Sequence, residues 1–283
     1  MKTPAALLLA GLMSLAALPA LADVALTGTV EQGALVVGRT EPRSTVTLDG
    51  EKLPVSADGY FAIGFDRDHG KSATLTVASP DGKVETKVLA VAPRAWDIQR
   101  IDHIAPALVT PPEDAMVRIR REVAEKAAAR PRDTDETWFA HKFIWPAKGI
   151  ITGIFGSQRV YNGEAKNPHY GVDVAAPVGA TIVAPADGIV RLAEPDMYFE
   201  GGLVFIDHGQ GVISFLMHMS RIDVKAGQRV HQGEPIGAVG QTGRATGPHV
   251  HWGMVWRAAH VDPSLLVPGV GPRGAVPGTK VGG

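Results

Sequence analysis

Glycine breaks the second half of this 283-residue chain into short runs. Through Gly179, Gly188, Gly209, Gly227, Gly237 and Gly247, apolar stretches keep meeting a residue that takes positive φ at little cost. That spacing suits tight turns and barrel corners, and it leaves little room for long helices. The N-terminal part has the same grain. "STVTLDGEKLPVSADGYFAIGF" alternates apolar and polar residues, and Asp49-Gly50, Asp58-Gly59 and Asp81-Gly82 are turn dipeptides between such runs. Residues 23–92 therefore predict a small β-sandwich, and residues 143–268 a second, glycine-punctuated β region. The fold class expected is mostly β.

A linker over 93–142 separates the two. It should hold one helix at about 111–130. Thr110-Pro111-Pro112-Glu113 has the form of a capping box, and Met116, Ile119, Val123 and Ala127 recur at helical spacing. Pro131 stops the element. Arg118, Arg120 and Arg121 read as a solvated face. Within the linker, Trp96 to Ile104 has apolar residues able to pack on a neighbouring domain and is a candidate to occlude a groove.

Residues 1–22 read as an export signal. Lys2 precedes an apolar run from Ala5 to Leu18, Pro19 breaks it, and Ala20-Leu21-Ala22 gives the small-x-small pattern. The run is shorter than the roughly 20 residues a spanning helix needs. An uncleaved anchor is the alternative. The expected location is periplasmic or secreted, with no stable membrane insertion after signal removal. The tail, 269–283, has too little apolar content to pack and is expected to be disordered. A net charge of −1 gives no general attraction for nucleic acid. With no cysteine, any metal must be held by His, Asp or Glu.

Seven of the ten histidines lie in 143–268: His169, His208, His218, His231, His249, His251 and His260. His169 and Asp173 form an H-x-x-x-D pair. His249 and His251 form an H-x-H pair, and on a strand both would face one side. Two histidines and a carboxylate with an open fourth position is the donor set of a catalytic zinc site. Zinc lowers the pKa of bound water to about 7. A further histidine could move its proton, and another could donate to an oxyanion. Spacing does not say which histidine of the H-x-H pair binds metal, and a set of unrelated surface histidines has the same spacing. His141, His208, His231 and His260 read as structural, while Arg159 and Tyr161 could line a groove. "VKAGQRVHQGEPIGAVG" also has the look of a lipoyl-carrier half, but no lysine occurs between Lys225 and Lys280 to carry the group.

Residues 143–268 resemble the lysostaphin-type (LytM-like) zinc endopeptidases that cut peptidoglycan peptides. The resemblance is carried, in order, by "HYGVDVAAPVGATIVAPADGIV", "VFIDHGQGVISFLMHMS", "VKAGQRVHQGEPIGAVGQTGRATGPHVHWGM" and "VDPSLL". It implies an antiparallel β groove or half-barrel with the metal at its floor. It implies one zinc ion per chain on His169, Asp173 and His251, with His218 and His249 flanking a zinc-bound water nucleophile and the scissile carbonyl. The substrate implied is a peptidoglycan peptide stem or cross-link. The family usually has Tyr-x-His-Leu where this chain has Leu216-Met217-His218-Met219, which bears on subsites rather than on metal chemistry. Some members lack ligands and act as non-catalytic activators of cell-wall amidases; here all five positions are filled. The N-terminal domain is open to an envelope protein partner, or to a polymer ligand through Tyr60 and Phe61.

Overall fold

The computed structural model describes residues 24–101, 112–131 and 134–267. The expected export signal over 1–22, the tail 269–283, Thr110 and Pro111 of the expected capping box, and residues 102–104 lie outside the described residues.

The first seven strands make two sheets. One has the order β1-β2-β5, from β1 (Ala25–Thr27), β2 (Leu35–Arg39) and β5 (Tyr60–Gly64). The other has the order β4-β3-β6-β7, from β3 (Thr45–Leu48), β4 (Glu51–Leu53), β6 (Ser72–Ala78) and β7 (Val84–Ala90). Pairing is antiparallel throughout. In β6 the burial alternates as the sequence does, with Ala73, Leu75 and Val77 inward. Asp49 takes φ 49° and Gly50 φ 83°. Two successive positive φ values make the turn expected of an Asp-Gly hairpin. Phe61 is fully buried. It is core, with its ring packed over Gly38 of β2, and it forms no exposed aromatic platform.

β8 (Ile98–Ile101) runs parallel to β10 (Gln158–Tyr161), which also pairs with β11 (Glu164–Ala165). The remaining strands build one ten-stranded antiparallel sheet. They are β9 (Ile150–Gly153), β12 (Val172–Ala175), β13 (Thr181–Val183), β14 (Gly188–Met197), β15 (Gly201–Asp207), β16 (Val212–Ile222), β17 (Arg229–Val230), β18 (Pro235–Val239), β19 (His249–Trp256) and β20 (Ala259–Val261). The main order is β17-β14-β15-β16-β19-β12-β9, with β18 between β13 and β16 and β20 beside β19.

Helix α1 spans Ala115–Ala128. Of its expected apolar stripe only Ile119 is buried, and Val123 is 54% exposed. The helix instead docks through ions. Buried Glu122 accepts from Arg118 and from the Tyr198 N–H, Lys126 pairs with buried Glu200, and Arg118 donates to the Asp196 carbonyl. The basic face is therefore in part a docking face. Periodicity reports apolar burial only, so it misplaced this contact.

The sandwich and the large sheet share one hydrophobic cluster, in which Phe61 and Ile63 join Trp252, Met254 and Trp256. Buried Gln210, on the β15–β16 turn, closes the contact. Its amide accepts from the Ala62 N–H and donates to the Tyr60 carbonyl.

Candidate metal centre

Antiparallel register places Asp173 of β12 directly opposite His251 of β19, so the two side chains leave one face as neighbours. His169 stands just before β12 and turns onto the same point. His169 Nε2 lies 3.0 Å from Asp173 Oδ1 and 2.9 Å from His251 Nδ1, and His251 Nδ1 lies 2.9 Å from Asp173 Oδ1. Donors on one tetrahedral zinc ion stand about 3.3 Å apart, so the triangle has the size a zinc ion needs to within a few tenths of an ångström.

The chemistry of the three atoms fits as well. His169 Nδ1–H donates to the Ile154 carbonyl at 3.0 Å. That bond fixes the tautomer and leaves a lone pair on Nε2, facing in. Two nitrogens and a carboxylate oxygen converge, and a cation between them would remove their mutual repulsion. Glycine makes the space. A Cβ on Gly171 would sit 2.5 Å from His251 Nε2 and 2.6 Å from the Trp252 carbonyl oxygen, and one on Gly153 would sit 2.2 Å from Asp173 Oδ2.

Two further imidazoles line the same face. His249 is two residues from His251 on β19, and its Nε2 is 3.6 Å from Asp173 Oδ1. The His218 ring centroid is 4.7 Å from that of His249. His249 Nδ1–H donates to the Gly247 carbonyl at 2.8 Å, and His218 Nδ1–H donates to the Thr242 carbonyl at 2.9 Å. Each therefore offers Nε2 as a proton acceptor.

His218 sits where β16 changes partners. Val212–Met217 pair with β19, whereas Met219 to Ile222 pair with β18. The backbone takes φ 64° at His218, a left-handed torsion few non-glycine residues adopt. The His218 N–H donates to the Glu200 carbonyl at 2.8 Å and holds this bend from the hairpin side.

Burial and neighbouring charge set protonation. With no cation between them, burial alone would raise the Asp173 carboxyl, but hydrogen bonds and charge from protonated His169 and His251 outweigh it and hold the group well below the usual carboxylate range. Burial lowers His251, with partial opposition from Asp173. For His169 the Asp173 hydrogen bond and charge overcome burial and raise it. Burial pushes His218 down to about 4, against the Thr242 hydrogen bond. At neutral pH His218 is an uncharged base.

The other histidines stand apart from this cluster. His208 is fully buried just past β15, at the start of the turn to β16. Its Nδ1–H donates to the Asp187 carbonyl at 2.7 Å, and its Nε2 accepts from Ser214 Oγ at 2.8 Å. His231 and His141 are exposed, and His260 stacks on Tyr170 at 3.9 Å. Arg159 is exposed on β10, which also carries Tyr161. Leu216, where the family's usual pattern has Tyr, is fully buried opposite Trp252, and Met217, at the unspecified position, is half-buried opposite His251. Sequence reasoning missed the carbonyls of Ile154, Thr242 and Gly247 and the glycine at 171. Backbone acceptors leave no mark on residue type.

The sequence profile described as Peptidase family M23 matches residues 167–263. The crystal structure assigned to peptidase M23 from Pseudomonas aeruginosa superposes with a TM-score of 0.65 and 31% identity, covering 84% of this chain and 95% of that one. The cell division protein DipM of Caulobacter vibrioides is 30% identical over 203 residues, 70% of this chain and 31% of DipM. The peptidoglycan DD-endopeptidase ShyC of Vibrio cholerae is 38% identical over 118 residues, 41% of this chain and 27% of ShyC. The chain thus spans about a third or less of the length of these curated relatives.

Proposed function

The chain belongs to peptidase family M23, and from that premise we propose that it is a zinc-dependent endopeptidase hydrolysing amide bonds in peptidoglycan peptide stems or cross-links. The observation that carries the reading is the convergence of His169, Asp173 and His251, with His218 and His249 beside them. The three would hold one zinc ion per chain. A zinc ion there would supply a Lewis acid for the scissile carbonyl and a water acidified toward neutrality.

The protein's own groups then divide the remaining work. His249, nearest the triangle, takes the water's proton at Nε2. Its Nδ1–H stays on the Gly247 carbonyl, so the imidazolium is oriented to return a proton to the leaving amine. His218, neutral and fixed by Thr242, would flank the water and the scissile carbonyl beside His249. Substrate peptide would lie extended along the open sheet, where main-chain pairing can hold it.

A unit over 23–92, a linker over 93–142 and a peptidase unit over 143–268 describe the proposed division of the chain. The location consistent with this activity is the periplasm or the exterior. Among the described residues no helix is long and apolar enough to cross a membrane. A non-catalytic amidase activator of the same fold is not favoured, because all five positions carry the side chains the chemistry needs.

Digestion of purified sacculi with the zinc-loaded protein tests the proposal. Peptide fragments should be released, chelation should stop their release, and muropeptide analysis identifies the bond. An unchanged muropeptide profile from folded, zinc-loaded protein would sink it.

A further inference from the structure

His169 is held almost entirely by one turn. Between β9 and β10, the Ile154 carbonyl accepts from His169 Nδ1–H, the Ser157 carbonyl accepts from the His169 N–H at 2.8 Å, and the Gly156 N–H donates to the His169 carbonyl at 2.8 Å. Side chain and backbone of this ligand are thus registered by residues 154–157 and not by the strand that carries Asp173.

That turn is itself gripped from the other β unit. Arg67 follows β5 of the sandwich and is 5% exposed. Its Nε donates to the Gly156 carbonyl at 2.9 Å, and one terminal nitrogen donates to Gln158 Oε1 at 3.2 Å. The other terminal nitrogen bonds both oxygens of Asp68, at 2.7 and 2.9 Å, which fixes the plane of the fork. The guanidinium lies 5.2 Å over the Trp96 ring, and Trp96 in turn packs edge-on against Phe155 of the turn. Gly156 takes φ 80°, and a Cβ there would strike Trp96 at 2.1 Å, so the turn is pressed against this layer. Next to Arg67, Asp66 accepts the His260 N–H at 2.9 Å, and His260 stacks on Tyr170, the neighbour of His169.

We infer that Arg67, from the N-terminal sandwich, is a positioning residue for the metal ligand His169: the sandwich is a structural part of the metal centre. The inference rests on the metal-site reading above. A planar fork with donors aimed at two separate acceptors suits this task, and lysine cannot reproduce it. Residues that orient a ligand in this way typically change metal affinity by about 10- to 100-fold when removed.

The test uses the full chain and Zn2+ alone, with a chromophoric chelator as competitor. Arg67→Ala should weaken zinc binding by about 10- to 100-fold. Arg67→Lys, which keeps the charge and is the safer variant for folding, should fall between Arg67→Ala and the parent. Gln210→Ala is the control. It breaks an equally buried contact across the same interface, far from residues 154–157, and should lower stability while leaving zinc affinity unchanged. A second readout needs no metal. Amide exchange at Gly156 and His169 in the apo protein should accelerate at least about tenfold in Arg67→Ala and stay unchanged in Gln210→Ala, since local opening sets exchange. Zinc affinity within twofold of the parent, or unchanged exchange at those amides, overturns the inference. A parent protein that binds no zinc but shows Arg67-dependent exchange sinks the metal reading and supports the positioning role.

Discussion

Asp173 and His251 face each other across one antiparallel rung, with 2.9 Å between Oδ1 and Nδ1, although 78 residues of chain separate them. The rung explains why the two short motifs work together. Each delivers one candidate ligand from a strand, and the sheet register brings the two within reach.

The H-x-H pair should divide cleanly by function. His251→Ala and His169→Ala should lose bound zinc together with activity. His249→Ala should keep near-stoichiometric zinc and lose about 10²- to 10⁴-fold in kcat, the usual range for a proton-transfer group. Metal analysis beside single-turnover kinetics checks this, and loss of zinc from His249→Ala would reverse the assignment.

Gly171→Ala should damage the metal centre without unfolding the chain. The added methyl meets His251 Nε2 and the Trp252 carbonyl oxygen, and the latter belongs to a core strand that cannot retreat. Zinc affinity should drop by at least about tenfold, in line with disturbed ligand orientation. Far-ultraviolet circular dichroism should not change. Full affinity in this variant would mean the ring has room the structure does not show.

His208 should make stability depend on pH. Burial pushes its pKa down to about 4 in the folded state, whereas an unfolded histidine titrates near 6.5. Because the unfolded chain takes up the proton first, this contribution is complete above about pH 6.5 and is lost as pH falls toward 4. The loss amounts to about 3 kcal/mol. Urea unfolding at pH 7.5 and 4.5, compared with His208→Gln, isolates the effect. Equal pH slopes in the two proteins would refute it.

Lys126→Ala should strand the buried Glu200 carboxylate beside α1. The expected destabilisation is about 3 kcal/mol, the lower end for breaking a buried pair, because the Arg130 charge remains nearby. The Glu200 carbonyl holds the His218 N–H, so exchange of that amide should quicken in the same variant. Protection unchanged at His218 would show that the helix does not brace the hairpin.

Much of this was legible in the sequence, and for physical reasons. Strand alternation and Asp-Gly turns announced the sandwich, because both follow from local backbone geometry. Four candidate site residues stood out by spacing, His169 with Asp173 and His249 with His251, and only the second pair carries a same-face argument; His218 and the division of roles came from the family resemblance alone. What stayed hidden depends on long-range contact. Nothing in the residues around Arg67 points 89 positions ahead to Gly156. Ile119 was read correctly as buried, yet Val123 was not, since ion pairs rather than an apolar stripe dock the helix. Nor does residue type tell that Phe61 is core while its neighbour Tyr60 is half-exposed; from Phe61 onward both faces of β5 are covered, so every later position is buried.

The left-handed torsion at His218 has a thermal consequence. Such a torsion costs about 1–2 kcal/mol in a residue other than glycine. It persists here only while Glu200 and Thr242 restrain it from two sides. Those restraints come from a hairpin and a loop, which loosen on warming before a packed core does. Turnover should accordingly fail some degrees below the melting midpoint, with the imidazole relaxing out of line while the sheet beneath it is still intact.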